Sequence, residues 1–284
     1  MVAVTWHGRH HPILLIEKFL ILKNKLFPPP ERGPWVRIEE LRQWLDHCDN
    51  HHSGHYQFST QSGQVFIYRP KWLIDVCCHS LVPAQSHHRY VALSYLWGPV
   101  TPLQARKSNI EELQRKGSLI FGNTSASEDK APSAPGVASK TVRNLDLGHE
   151  LSTLPQTVRD AMVITQKLEE QFLWVDSLCI LQDDDEEKRD NLRHTGSIYA
   201  NAYVTIVAAT GNASQGLRGI EHTTPPMERI AEALMHLRTQ WMLRLELEKH
   251  HKDLHASEWN HRAWTFQEQL FSRRLLIFGN KGAI

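Results

Sequence analysis

A tryptophan and a glutamate near the end of the chain have types and a spacing suited to acid–base chemistry. Trp264 and Glu268 lie four residues apart in a run, 259–270, that is predicted to be helical, so their side chains share one helix face. A carboxyl group beside a tryptophan on a half-buried face holds its proton more tightly than it does in water. This raised affinity for a proton singles out Glu268 among the carboxyl groups of the chain.

Further polar and aromatic groups follow two predicted strands. Ser94 and Trp97 lie at the end of the strand that begins at Tyr90, and Asp176 directly follows the apolar run 172–175. Loops at the carboxyl ends of parallel strands build the ligand crevice of an open α/β sheet. We therefore expect Ser94, Trp97 and Asp176 to line one pocket.

The element that positions these groups is the stretch 171–210, which is predicted to be strand, acidic turn, helix and strand. The acids at 183–185 suit a helix N-terminus, and the β-branched run 203–209 is typical of a buried strand. A crossover of this length predicts a parallel βαβ unit. Gly196 inside the helix is expected to weaken it by about 1 kcal/mol relative to alanine.

Hydrophobic periodicity predicts the remaining elements. The expected helices cover residues 36–46, a stretch beginning near Pro155, and residues 226–251, and the runs 65–68 and 72–76 form a hairpin or two edge strands around residues 69–71. A last strand covers 274–278. The fold class is α/β: a mostly parallel sheet with helices on both faces.

Composition excludes several classes of protein. The chain has 284 residues, 41% of them hydrophobic, and a net charge of +1, so nothing favours binding to nucleic acid or to a membrane surface. The apolar stretch 13–22 carries Glu17 and Lys18 at its centre, which favours an amphipathic helix over a membrane span or secretory signal. The four cysteines form no CxxC pair, so we expect reduced thiols in a cytosolic or nuclear protein, and of the two we predict a cytoplasmic location.

The segment 48–55 contains cysteine, aspartate and histidine, which are metal-ligand types. A zinc site needs a second clustered pair of ligands, and no such pair is evident in the sequence. We therefore interpret the segment as a polar loop and predict no metal site.

Small and polar residues between 122 and 140 indicate a flexible insertion, placed at about 118–145. The predicted organisation is an N-terminal helical or irregular lead-in over 1–70 and one domain over 71–284, interrupted by that insertion.

Three ordered blocks resemble the fungal heterokaryon incompatibility (HET) domain. They are YVALSYLWGP at 90–99, the block from LPQTVRDAM to YVTIVAAT at 154–210, and WNHRAWTFQEQLFSRRLLIF at 259–278. The resemblance covers roughly residues 70–280. Leu96 departs from it, since family members often carry a cysteine there. The resemblance implies a role in non-self recognition, with growth arrest or cell death when incompatible hyphae fuse.

HET domains have been likened to the TIR domain, a flavodoxin-like sheet. In enzymatic TIR domains a glutamate four residues after a tryptophan cleaves NAD, and Trp264 and Glu268 keep that spacing without the cysteine that usually follows the tryptophan. The resemblance thus implies Glu268 as the catalytic carboxylate, NAD as substrate rather than cofactor, and Arg262 as a phosphate contact.

Two alternatives stay open. One is a non-catalytic signalling module that self-associates or binds a protein partner, favoured by the lack of a glycine-rich phosphate loop or a nucleophile–base pair. The other is a degenerate copy without activity. On a structural interpretation, Trp97, Trp174 and Trp264 belong to the core, Asp176 caps a turn, and Arg262 and Glu268 hold the last helix through side-chain pairs.

Overall fold

The computed structural model describes residues 3–5, 35–52, 68–99, 101–120, 154–220, 254–262 and 265–279. Seven strands form one sheet. They are β1 (Ala3–Thr5), β2 (Trp72–Asp75), β3 (Ser80–Pro83), β4 (Tyr90–Ser94), β5 (Phe172–Trp174), β6 (Thr205–Ala208) and β7 (Leu275–Phe278). Their order across the sheet is β1-β7-β6-β4-β5-β2-β3.

Seven α-helices and a 3₁₀ helix lie in the described parts of the chain. The α-helices are α1 (Ile38–His52), α2 (Ile110–Leu113), α3 (Gln156–Lys167), α4 (Asp176–Cys179), α5 (Asp185–Arg193), α6 (Thr195–Asn201) and α7 (Thr265–Phe271). The 3₁₀ helix is Trp259–His261, between β6 and α7.

The α/β class is confirmed, and the sheet is mixed. The pairs β4–β5, β4–β6 and β6–β7 are parallel, whereas β1–β7, β2–β3 and β2–β5 are antiparallel. The expectation of a mostly parallel sheet holds only for its centre, because a βαβ pattern specifies the direction of the two strands that it connects and not that of the other strands. The antiparallel strands add to both sides of a parallel centre.

The parallel centre runs β7-β6-β4-β5, so β4 is flanked by the next two parallel strands of the chain. Every residue of β4 is buried, as expected for a strand covered on both faces. In an open parallel sheet, the point where the strand order reverses is called a topological switch point, and ligands bind beside it. In this sheet it lies between the carboxyl ends of β4 and β6.

The acidic turn starts a helix as predicted. The Asp184 side chain is the N-cap of α5 and accepts hydrogen bonds from the backbone N–H groups of Glu186 and Glu187, both at 3.1 Å. The expected single helix is, however, two helices, because it breaks at His194 between α5 and α6. Further along, the predicted final strand is confirmed as β7.

Three local predictions were wrong. The hairpin pairs β2 with β3, since the run after the Cys77–Cys78 turn is the partner strand and Tyr68 is in no strand. Helix α1 continues to His52, so half of the expected polar loop is helical. The helix expected over 259–270 is a 3₁₀ turn followed by α7, with Arg262 between them in an extended conformation.

Several predictions fall outside the described residues. These are the helices at 13–22 and 226–251, most of the insertion at 118–145, and the side chain of Trp264.

Candidate active site

Three elements bring polar side chains to the carboxyl ends of the parallel strands. Ser94 is the last residue of β4, and Asp176 begins α4 two residues after the end of β5. Glu268 lies on α7, in the connection from β6 to β7. The strand order therefore places residues far apart in the chain beside the switch point of the sheet.

The centre of this cluster is a buried chain of hydrogen bonds. The Trp259 indole Nε1 donates to Ser94 Oγ at 2.6 Å, and Ser94 Oγ donates to Glu268 Oε2. The exposed fractions are 0% for Trp259, 1% for Ser94 and 5% for Glu268. The Tyr199 hydroxyl, from α6, lies close enough to Glu268 for the two groups to act on each other's pKa, and it donates to the Leu93 backbone carbonyl at 3.5 Å.

Burial raises the pKa of Glu268 above its ordinary value. The positive charge of Arg262 and the hydrogen bond from Ser94 act in the opposite direction, as do the nearby Tyr199 and Trp259, without cancelling that effect. A carboxyl group whose pKa is raised binds its proton more tightly than an exposed glutamate does. This is the property that an acid–base or charge-stabilising catalyst needs.

A second carboxyl group, Asp176, lies closer to solvent. Its side chain keeps some accessible surface although protein surrounds it closely. Trp97 Nε1 donates to both of its oxygens at 3.2 Å, and the Ser177 N–H donates to Oδ1 at 2.7 Å. Burial raises the pKa of Asp176 to about 6, with a smaller contribution from the charge of Glu268.

Arg262 supplies positive charge to both carboxyl groups. Its charge lowers the pKa of Asp176 and of Glu268, so it lies close to each. Its Nη1 nevertheless donates to the Tyr95 backbone carbonyl at 2.7 Å. Within the described part of the chain, neither carboxylate forms a salt bridge, which leaves guanidinium surface for an anionic ligand.

A glycine fixes the loop that carries Trp97. Gly98 has a φ of +74°, which favours glycine, and a Cβ there would be 2.6 Å from Asn212 Cβ in the loop after β6. The loops after β4 and β6 therefore touch, and Trp97 is held above the cluster.

Five predicted site residues come together here: Glu268, Ser94, Trp97, Asp176 and Arg262. Their roles stay predictions, as does that of Trp264, which lies outside the described residues. Trp174 is 2% exposed and belongs to the core, in line with the structural interpretation.

Sequence reasoning missed Trp259, Tyr199 and Tyr95. Trp259 and Tyr199 lie inside two of the blocks that carry the resemblance, but only the fold shows that they surround Glu268. Tyr95 contributes its carbonyl to Arg262 and its hydroxyl to Ser177 Oγ at 3.1 Å.

Among the described residues, no group of three or more His, Cys, Asp or Glu side chains could hold a metal ion. None of the helices described there is long and apolar enough to cross a membrane.

A family model described as heterokaryon incompatibility protein (HET) matches residues 90–268, well over half of the chain. The chain belongs to the HET family. The matched span begins at the first residue of β4 and ends at Glu268, so it contains every residue of the cluster. The span that matches the HET family therefore contains the whole candidate site.

One curated relative is heterokaryon incompatibility protein 6, OR allele, of Neurospora crassa. It is 28% identical over 131 residues, which cover 46% of this chain and 16% of the relative. The chain therefore corresponds to a small part of that protein's length. No solved structure matches the HET chain.

Proposed function

We propose that this HET domain acts in fungal non-self recognition, and that it triggers growth arrest or cell death by cleaving NAD in the cytoplasm. The family and the name of the Neurospora crassa relative support the recognition role. The carboxylate cluster at the carboxyl ends of β4 and β5 supports the chemistry. The observation that carries the proposal is Glu268, a buried carboxyl group with a raised pKa beside the switch point of the sheet.

The order of the parallel strands supports the TIR-like part of the proposal. With β4 counted as the first parallel strand, the order is 2-1-3-4, which is how a flavodoxin-like sheet begins. Glu268 lies on the helix that follows the third of these strands. The antiparallel strands β1, β2 and β3 are additions to this pattern.

The proposed reaction breaks the bond between the ribose C1′ and the nicotinamide nitrogen. As nicotinamide leaves, positive charge develops on the ribose, and the Glu268 carboxylate stabilises it as carboxylates do in glycosidases. Arg262 would contact a phosphate of the dinucleotide, and Trp97, Trp264, Ser94 and Asp176 would line the pocket. NAD is then the substrate, and no cofactor is required.

The test is incubation of the purified protein at high concentration with NAD, with nicotinamide release followed over time. We expect release by the wild type and none by Glu268→Gln, which keeps the side-chain size and an acceptor for Ser94. Release at equal rates by both proteins would exclude Glu268 as the catalytic group. No release by a folded, self-associated wild type would overturn the proposed reaction.

One observation favours a non-catalytic signalling module as the second candidate. Trp259 donates to Ser94, and Ser94 donates to Glu268, so this buried chain of hydrogen bonds is sufficient to fix α7 against β4 without any catalytic role. On this proposal, death follows from self-association or from binding of a protein partner. Killing of fungal cells by a Glu268→Gln protein that folds and assembles would select this candidate.

A further inference from the structure

The cluster contains more carboxyl groups than the departure of nicotinamide requires. The leaving group is a pyridinium, which becomes neutral when it takes the bonding electron pair, so no acid has to protonate it. Glu268 suffices to stabilise the charge on the ribose. The attacking water, in contrast, must lose a proton, and this requires a proton acceptor in addition to the roles of Glu268 and Arg262.

Asp176 has the geometry of that acceptor. The Trp97 N–H and the Ser177 N–H fix the orientation of its carboxylate, and the residue is only partly buried. Glu268 lies deeper, at 5% exposure, bonded to Ser94. The two carboxyl groups are close enough for the charge of Glu268 to act on Asp176. Glu268 is thus the more deeply buried of the two carboxylates, and Asp176 is the one nearer to solvent.

We propose that Asp176 is the general base that removes a proton from the attacking water, an inference that rests on the proposed NAD cleavage. A water O–H bond breaks and its proton moves to an Asp176 oxygen. The water oxygen forms a bond to C1′, and the C1′–N bond breaks with its electron pair going to nicotinamide. The products are ADP-ribose and neutral nicotinamide, and Asp176 later returns the proton to solvent.

A nucleophile that has no proton to lose separates this role from that of Glu268. A weakly basic pyridine such as 3-acetylpyridine can attack C1′ directly and give the corresponding pyridine dinucleotide. This base exchange needs Glu268 but no general base. We therefore measure hydrolysis and base exchange together, on NAD with 3-acetylpyridine added.

In Asp176→Asn we expect hydrolysis to fall by about 100-fold or more, which is the usual size of a general-base contribution. Base exchange should stay within about threefold of the wild type, because the asparagine oxygen still accepts the Trp97 and Ser177 N–H groups. Glu268→Gln should lose both reactions. Asp190→Asn, an exchange of the same kind on α5, is the matched control and should change neither.

The wild type alone gives a second readout. Asp176 is deprotonated above about pH 6, so the ratio of hydrolysis to base exchange should rise as the pH increases through that value. The groups that face Asp176 are Tyr95 after β4, Cys179 on α4, Tyr199 on α6, Arg262 after the 3₁₀ helix and Glu268 on α7. Burial raises the pKa values of the tyrosines and of Cys179, so they stay neutral in this range. Protonation of Glu268 affects both reactions and cancels in the ratio.

Three outcomes would overturn the inference, and one of them concerns the proposed function too. Equal losses of hydrolysis and exchange in Asp176→Asn would make Asp176 a binding or structural group. A ratio that is independent of pH in the wild type would do the same without any variant. A wild type that performs neither reaction would overturn the proposed function and this inference together.

Discussion

The two edges of the parallel strands use buried charge in different ways. At the amino edge, Arg89 pairs with Glu170 through Nε at 3.0 Å and through Nη2, and Arg274 pairs with Asp49 of α1. The Tyr203 hydroxyl donates to Asp49 at 2.9 Å, and the two guanidinium groups lie 4.3 and 4.7 Å from the centre of its ring. Each carboxylate there has its own arginine.

At the carboxyl edge, the charge of Arg262 acts on both Asp176 and Glu268. Its Nη1, however, donates a hydrogen bond to the Tyr95 backbone carbonyl and not to a carboxylate. A paired carboxylate holds elements together, whereas one that lacks a direct cation can act on a ligand. Even Glu170, despite Arg89, has a raised pKa because it is buried. The contrast therefore lies in the missing partner and not in burial alone.

The sharpest test of this contrast applies the same substitution at both edges. Glu268→Gln should lower the rate of nicotinamide release by about a thousandfold or more, which corresponds to roughly 4 kcal/mol of transition-state stabilisation. Glu170→Gln should leave the rate unchanged per folded molecule and lower the free energy of unfolding by about 1 kcal/mol, since Arg89 is largely solvated. Release assays and urea titrations of both variants measure this. Equal rate losses at the two edges would remove the distinction.

Sequence patterns were sufficient for what local physics decides. The acidic N-terminus of α5, the buried strand β4 and the final strand β7 follow from charge placement and from apolar runs. Patterns could not decide pairing. The apolar pattern of β2 is the same whether its neighbours are parallel or antiparallel. The antiparallel pairing of β2 with β3 and β5 therefore could not be predicted from the sequence.

The same limit applies to the residues of the candidate site, some of which could be predicted from the sequence and some of which could not. Ser94 and Asp176 were found because polar residues after buried strands meet at one edge of a sheet. Trp259 was missed because its value comes from the single contact with Ser94, 165 positions away in the chain. A buried tryptophan in a helical run is ordinary core until the fold shows which atom its N–H reaches.

Removal of an arginine from the amino edge tests whether that edge is purely structural. Arg274 is 6% exposed, and Arg274→Gln removes the ion pair of Asp49 while the Tyr203 hydroxyl still donates to it. We expect the free energy of unfolding to fall by about 2–3 kcal/mol, with nicotinamide release per folded molecule unchanged. Urea titration measures the loss, and the exposed Arg115→Gln is the control. A large fall in release without a loss of stability would assign the amino edge a functional role.

The pH dependence of stability tests the unpaired state of Asp176. Its pKa is raised from 3.8 in the unfolded chain to about 6, so its contribution to stability is fully present below the lower value and is lost as the pH rises through the higher one. Asp176→Asn does not titrate. It should therefore be more stable than the wild type at pH 8, on the order of 3 kcal/mol, and the advantage should vanish towards pH 4. Unfolding at several pH values measures this, and an advantage independent of pH would contradict a raised pKa.

The smallest effect concerns the contact between α6 and α7, the helix that carries Glu268. In a free helix, Gly196→Ala should be stabilising by about 1 kcal/mol. In α6, however, a Cβ at this position would lie 2.8 Å from Cδ2 of Phe271, a ring on α7. Since the ring is a rigid contact, we expect Gly196→Ala to lower stability by about 1 kcal/mol and to shift α7, with a severalfold loss of nicotinamide release.

A second substitution separates these two effects. Phe271→Leu removes the ring edge that the new methyl group would meet, so Gly196→Ala should become neutral or stabilising in that background, and the double-mutant cycle gives the coupling between the two positions. If Gly196→Ala were stabilising in the wild-type background, helix propensity would outweigh the contact, and the position of Glu268 would depend on Ser94 and Trp259 alone. A destabilisation that Phe271→Leu relieves would show that α6 sets the depth of the carboxylate at the carboxyl edge.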